Sequence, residues 1–195
     1  MPRRRTQFAQ GQYYHIYNRG VERRPIFREE ENYLYLLRLV KEYTGELGVT
    51  VIAYCLMPNH YHVLVRQDGE KRAGLLPQLA FNRYTKAFNK RYGRTGTLFE
   101  GRYRSVWVDR TEYLFHLCRY IHANPVKAGL VSRLEEWPFS NYLEWVRKRN
   151  GTLVDREFVA ESFPDVDGYC EFVLEYLEAS DTLPQGIEPY LLDAR

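Results

Sequence analysis

The stretch that most constrains this chain is the run Val49-Thr-Val-Ile-Ala-Tyr-Cys-Leu56, followed by Met57-Pro58-Asn59 and then His60-Tyr-His-Val-Leu-Val65. β-Branched and aromatic residues on both sides of a Met-Pro-Asn break predict a β-hairpin. Side chains alternate along a strand, so His60, His62 and Leu64 share one face while Tyr61, Val63 and Val65 share the other. The second set suits a core. The first leaves two imidazoles side by side on the opposite surface, within reach of one cation. Two strand histidines at this spacing also read as an ordinary half-exposed pair, and two imidazoles do not complete a divalent site. The decision rests on a third ligand elsewhere in the chain.

At 195 residues the chain has room for one sizeable core, or for one domain with a C-terminal extension. Cys55, Cys118 and Cys170 are odd in number and far apart. They predict reduced thiols, and neither a zinc knuckle nor a disulfide scaffold. The basic N-terminus, with Arg3, Arg4 and Arg5, is followed by no apolar stretch, and no run approaches the length of a membrane span. These features predict a cytoplasmic protein. Charge is unevenly spread: residues 1–110 carry a net +10 and residues 111–195 a net −7. A basic body holding many of the 17 tyrosines is the composition of a nucleic-acid surface, although an Arg-rich face that is merely soluble has the same composition.

Taken in order, Tyr13–Asn18 alternates rings and aliphatics as a first strand and ends in the turn signal Asn18-Arg19-Gly20. Glu29–Tyr43 places Tyr33, Leu36, Leu37 and Val40 on one side of a helix. After the hairpin, Leu75–Tyr92 forms a second helix with Leu76, Leu79, Ala80, Ala87 and Phe88 on its apolar side and Arg83, Lys86, Lys90 and Arg91 on its basic one. Thr97–Val108 reads as a fourth strand, bent or bulged at Gly101. The order β-α-β-β-α-β predicts an α+β, ferredoxin-like (split βαβ, RRM-like) antiparallel sheet with helices on one face. Its other face is left for a nucleic-acid strand.

A further helix starts near Asp109, with Leu114, Leu117, Cys118 and Ile121 as its apolar stripe. Tyr120 lies on its flank and Asn124 one turn on. Pro125 disfavours helix at Asn124, so the helix is expected to end there with the carboxamide pointing outward. Residues 1–12 then form a basic arm, 13–142 the catalytic unit and 143–195 an acidic helical extension. From Asp155 to Arg195 there are 11 acidic residues against Arg156 and Arg195. Phe158, Phe163, Tyr169, Phe172, Val173, Tyr176 and Leu177 give that segment an apolar side for docking on the basic body. There it would compete with DNA phosphates, or it would only support folding.

If the Tyr120 helix lies beside the histidine strand, His60, His62 and Asn124 offer two nitrogens and an amide oxygen to one divalent ion. That donor set suits Mg²⁺ or Mn²⁺. The ion would polarise a phosphate for attack by the Tyr120 phenolate, whose ordinary pKa near ~10 calls for activation. The product would be a tyrosine ester of a nucleic-acid 5′ phosphate, which a free 3′ hydroxyl can reverse.

These residues resemble a family. His60-Tyr61-His62 matches the His-hydrophobic-His motif of HUH nucleases, with Tyr120 and Asn124 in the places of their single nucleophile and third ligand. Tyr14–Gly20, Ala53–His62, Gly96–Ser105 and Tyr120–Gly129 are similar to the REP-associated tyrosine transposases, relatives of the IS200-type enzymes. The resemblance covers about residues 13–142. It implies a metal-dependent, single-strand-specific DNA nickase and strand transferase acting on REP-type hairpins through a 5′-phosphotyrosine. IS200-type enzymes usually offer glutamine where this chain has Asn124, and they finish soon after the tyrosine helix. The longer chain favours the REP-associated branch and a monomer over a dimer that exchanges tyrosine helices.

Other candidates carry weaker arguments. His116, one turn before Tyr120, is a candidate for proton transfer or a solvated side chain. Arg19, Arg83, Lys86, Arg102, Arg104 and the Arg3–Arg5 arm are candidates for DNA phosphates. His15 and His122 have no positional argument. Two rivals remain: a non-catalytic RRM-like nucleic-acid binder, and a metal-dependent hydrolase using water with Tyr120 structural.

Overall fold

The computed structural model describes residues 6–178 and 184–192, so Arg3, Arg4 and Arg5 lie outside the described residues. Strand β1 (Tyr13–Arg19), helix α1 (Glu30–Leu47), strands β2 (Val49–Met57) and β3 (His60–Gln67), helix α2 (Asn82–Arg91) and strand β4 (Arg104–Val108) build the expected α+β plan. The sheet order is β2-β3-β1-β4, with every neighbouring pair antiparallel, which is the ferredoxin-like arrangement. α1 buries Tyr33, Leu36, Leu39 and Val40 and ends at Gly48, whose φ of 62° turns the chain straight into β2. That left-handed conformation costs a residue with a Cβ about 1–2 kcal/mol, so glycine is the natural stop. Pro58 and Asn59 make the two-residue turn between β2 and β3, with Met57 paired to His60.

One sheet face, carrying Tyr14, Ile16, Tyr61, Val63 and Val65, packs under α1 and α2 as the periodicity predicts. The other face is not free. Helix α3 (Thr111–Lys127) lies over it, and Ala53, Cys55 and Leu64 pack with Leu114, Leu117, Cys118 and Ile121. The cause is legible in β2, which is buried at eight of its nine positions and does not alternate. A continuous apolar run marks a strand covered on both sides.

Three further expectations are corrected. α3 does not stop at Asn124 but runs through Pro125 to Lys127. Proline sits so near the C-terminus that little helix follows it, and the packing of α3 on the sheet outweighs the local preference. The fourth strand begins only at Arg104, because Gly96 and Gly101 adopt φ of 82° and 86°. Phe99 keeps a single bridge to Gly20. The second helix opens with a π-helical turn at Pro77–Phe81, and Leu79, counted on its apolar side, is exposed.

Short helices α4 (Tyr142–Trp145) and α5 (Arg156–Ser162) and helix α6 (Val166–Glu178) continue the chain. Trp145, Tyr169 and Val173 are buried in the same core as α3. The extension therefore docks through its apolar side, while Glu171, Glu175 and Glu178 of α6 stay exposed. Arg119 of α3 is covered by it, with its guanidinium 4.3 Å from the Phe172 ring centre. Segment 139–141 closes the outer edge of β2: Leu56 N donates to Phe139 O at 2.9 Å and Tyr54 N to Asn141 Oδ1 at 2.8 Å. That pairing protects an edge that would otherwise present unpaired backbone groups.

Candidate active site

β3 turns His62 toward α3, and because α3 covers that face the imidazole is fully buried and not on a surface. Its ring centre lies 5.1 Å from that of His60 and 5.3 Å from that of Tyr120, both edge-on. Tyr120 is itself buried. The histidine strand and the tyrosine helix therefore meet at His62 and Tyr120. Asn124 follows one turn later, about 6 Å along the axis at ~1.5 Å per residue. Its Nδ2 donates to the backbone oxygen of Tyr120 at 2.8 Å, which leaves Oδ1 as the side chain's coordinating atom.

His62 Nδ1 lies 3.0 Å from His15 Nε2 in the sheet interior. Its other nitrogen, Nε2, is buried and makes no hydrogen bond among the described residues. Burial first, and then the neighbouring His60 and His15, push the His62 pKa well below its ordinary value. The ring is thus neutral at neutral pH, the form in which a histidine nitrogen binds a cation. Among the described residues no group of three His, Cys, Asp or Glu side chains converges on one point. Asn124, one turn beyond Tyr120, carries the amide oxygen that is the candidate third donor beside His60 and His62. Two imidazole nitrogens and one carboxamide oxygen would suit a hard divalent cation such as Mg²⁺ or Mn²⁺. The unsatisfied His62 nitrogen is the observation that this fit rests on.

The other candidates separate by position. Arg104 pairs with Tyr17, and Tyr17 with His62, so all three stand in one cross-strand row on the site's face. Arg19 pairs with His60 across the strands and holds Glu100 at 2.8 Å. Arg102 is exposed just before β4. Arg83 and Lys86 sit on α2, in the layer behind the opposite sheet face, and Arg83 is paired with Glu42 at 2.7 Å. The structure does not bring those two to the site. His116 packs 5.4 Å from the Phe172 ring of α6, and burial lowers its pKa.

Sequence reasoning passed over two neighbours. His15 shares a strand face with Tyr13 and Tyr17, and the pairing of Tyr17 with His62 makes that the site's face. The alternation was available, but the register that gives it meaning was not. Asn59 reads from the sequence as a turn residue only, yet its Oδ1 lies 2.7 Å from His60 Nδ1.

Residues 9–124 match the protein-family model described as "Transposase IS200 like". Among solved structures, a REP-associated tyrosine transposase bound to a REP hairpin superposes with a TM-score of 0.62 at 20% identity, over 80% of this chain and 94% of that one. At that identity the likeness is one of fold. A candidate transposase from Deinococcus radiodurans gives 0.42 at 17% identity over 62% and 94% of the two chains, and nothing rests on it. Among curated proteins none is similar enough to count as a match.

Proposed function

The chain belongs to the IS200-like transposase family, and from that premise we propose that it cleaves and rejoins single-stranded DNA through Tyr120. The reading is supported most by one observation: the buried, unsatisfied Nε2 of His62 beside the Tyr120 ring. A polar nitrogen withheld from water and from every protein partner is costly unless it serves a ligand.

In this reading His60 and His62 bind through Nε2 and Asn124 through Oδ1. A divalent ion held there, Mg²⁺ or Mn²⁺, supplies the positive charge that polarises the scissile phosphate and lowers the barrier to attack. The protein's own part is positional. α3 carries Tyr120 and Asn124 one turn apart, so the nucleophile and a ligand move as one rigid piece. Packing against β2 on one side and α6 on the other holds that piece against the histidine strand. The Tyr120 oxygen attacks phosphorus, the bond to the 3′ oxygen breaks, and the DNA is left as a 5′-phosphotyrosine with a free 3′ hydroxyl. The ester keeps the phosphodiester's energy, so attack by a 3′ hydroxyl rejoins the strand. Burial of the site limits competing attack by water. Arg104 and Arg19, whose strand partners are Tyr17 and His60, would hold the phosphates that flank the scissile one.

The solved relative carries a REP hairpin, and hairpins of that type are the proposed substrate. The proposed unit is a monomer, because α3 is locked into its own chain's core by α6. The test is denaturing electrophoresis after incubating labelled hairpin DNA with the protein and Mn²⁺. A protein-linked DNA band is expected. Clean cut ends without a linked band would favour a water-using hydrolase, and intact DNA would favour a binding module.

A further inference from the structure

Each candidate ligand histidine commits one ring nitrogen to a neighbour, and in both it is Nδ1. His60 Nδ1 lies 2.7 Å from Asn59 Oδ1, and His62 Nδ1 lies 3.0 Å from His15 Nε2. The first contact fixes a proton. Asn59 Nδ2 donates to the backbone oxygen of Arg23 at 3.2 Å, so the amide cannot be reversed without setting oxygen against oxygen. Asn59 Oδ1 only accepts, so the shared proton sits on His60 Nδ1. In the neutral form of His60 that single proton leaves Nε2 as the lone-pair nitrogen. The second contact allows two arrangements taken alone. His62 Nε2 decides between them, because it is buried without a hydrogen bond. An orphaned buried N–H is the rarer and costlier state than a bare acceptor. The proton therefore sits on His62 Nδ1 and is donated to His15.

We infer that Asn59 and His15 are positioning residues: each holds one strand histidine with its proton on Nδ1 and so keeps Nε2 as the metal-binding nitrogen. The inference rests on the proposed roles of His60 and His62 as ligands and goes beyond them. Asn59 is anchored for the purpose. Gly20 N donates to Asn59 O at 2.7 Å, and Ile26 N donates to Pro58 O at 2.8 Å. Between them Glu22 and Arg23 take left-handed φ values of 54° and 58°, which present the Arg23 carbonyl to the amide. A Cβ at Gly20 would lie 2.1 Å from the Arg24 oxygen, so this loop closes only with glycine there. Loop, hairpin turn and ligand form one hydrogen-bonded unit.

Long-range ¹⁵N–¹H correlation spectra of the metal-free, histidine-labelled full chain at neutral pH read the tautomers directly. Both His60 and His62 are expected as the Nδ1–H form; finding the proton of either on Nε2 overturns the inference for that residue. Calorimetry with Mn²⁺ alone, without DNA, then reads the consequence. Asn59→Ala should weaken binding about 10–100-fold, as loss of a partner behind a metal-bound histidine does. Asn59→Asp should recover most of it, since its carboxylate still accepts from Nδ1 although it cannot donate to Arg23. An Asn59→Ala chain that binds like the parent, or an Asn59→Asp chain no better than Asn59→Ala, overturns the role of Asn59. His60→Ala separates the two levels of the claim. Unchanged Mn²⁺ affinity in His60→Ala removes the ligand reading itself, whereas weakened affinity there with none in Asn59→Ala removes only the positioning.

Discussion

Two histidines in this protein are buried to the same degree and differ in what surrounds them. His62 on β3 and His122 on α3 are both shut away from solvent, and burial lowers the pKa of each. His122 is complete. Its Nε2 lies 2.9 Å from Asn141 Oδ1 and its Nδ1 lies 2.6 Å from the Tyr169 hydroxyl. Asn141 Nδ2 donates to Ile52 O at 2.9 Å, so its Oδ1 accepts, and His122 donates from Nε2 and accepts from Tyr169. It pins the extension and the β2 edge to α3. His62 has only one nitrogen satisfied. A buried, pKa-shifted imidazole is therefore not by itself a functional one; the unfinished hydrogen bonding is what makes His62 the candidate ligand and His122 a tie.

Paired substitutions sharpen that distinction. The largest effect is expected from His62→Leu, which should lower Mn²⁺ affinity by more than the ~10–100-fold typical of losing an outer partner, and abolish DNA linkage. Its unfolding free energy should change by only about 1 kcal/mol, since one hydrogen bond is lost. His122→Leu should do the reverse, leaving Mn²⁺ affinity in place and costing about 1–3 kcal/mol in urea unfolding, because the Tyr169 hydroxyl loses its buried acceptor. A metal defect in His122→Leu, or none in His62→Leu, would break the comparison.

The next effect is one of pH. Burial pushes His122 down to about 4, against about 6.5 in an unfolded chain. The unfolded state thus binds the proton more readily, and the stability contributed by neutral His122 is whole above about 6.5 and lost as pH falls toward 4. Between pH 7 and 5 the parent should lose about 2 kcal/mol more than His122→Leu in urea unfolding. Equal losses would mean that His122 does not stay neutral in the fold. Smallest is Tyr169→Phe, which removes only the hydroxyl donated to His122. About 1 kcal/mol of stability should go, with DNA linkage per folded molecule unchanged. A larger loss would show that Tyr169 orders α3 itself.

The elements closest to the site were the most legible from residue order. The hairpin, the alternation of His60 with Tyr61 and His62, and the Tyr120–Asn124 spacing follow from periods of two and 3.6, which local geometry enforces. What escaped was set by partners distant in sequence. The burial of His62 needs α3, and the unbroken apolar run of β2 was the one local sign of it. His15 and His122 acquire meaning only from register and from residues 47 positions away. The continuation of α3 past Pro125 is a tertiary override, since its two flanks are held by the sheet and by α6. In the extension, charge describes the exposed side, and Tyr169, Val173 and Trp145 describe the side that folds.

The central claim, that Tyr120 is the group that joins DNA, is tested most directly by mapping the linkage. Parent protein trapped on hairpin DNA with Mn²⁺ is digested, and the DNA-bearing peptide is identified by mass spectrometry among the 17 tyrosines of the chain. The account predicts a single modified peptide spanning Tyr120, absent from Tyr120→Phe protein that retains its fold and its DNA binding. A DNA-linked peptide at any other tyrosine, or an undiminished adduct in Tyr120→Phe, would contradict it.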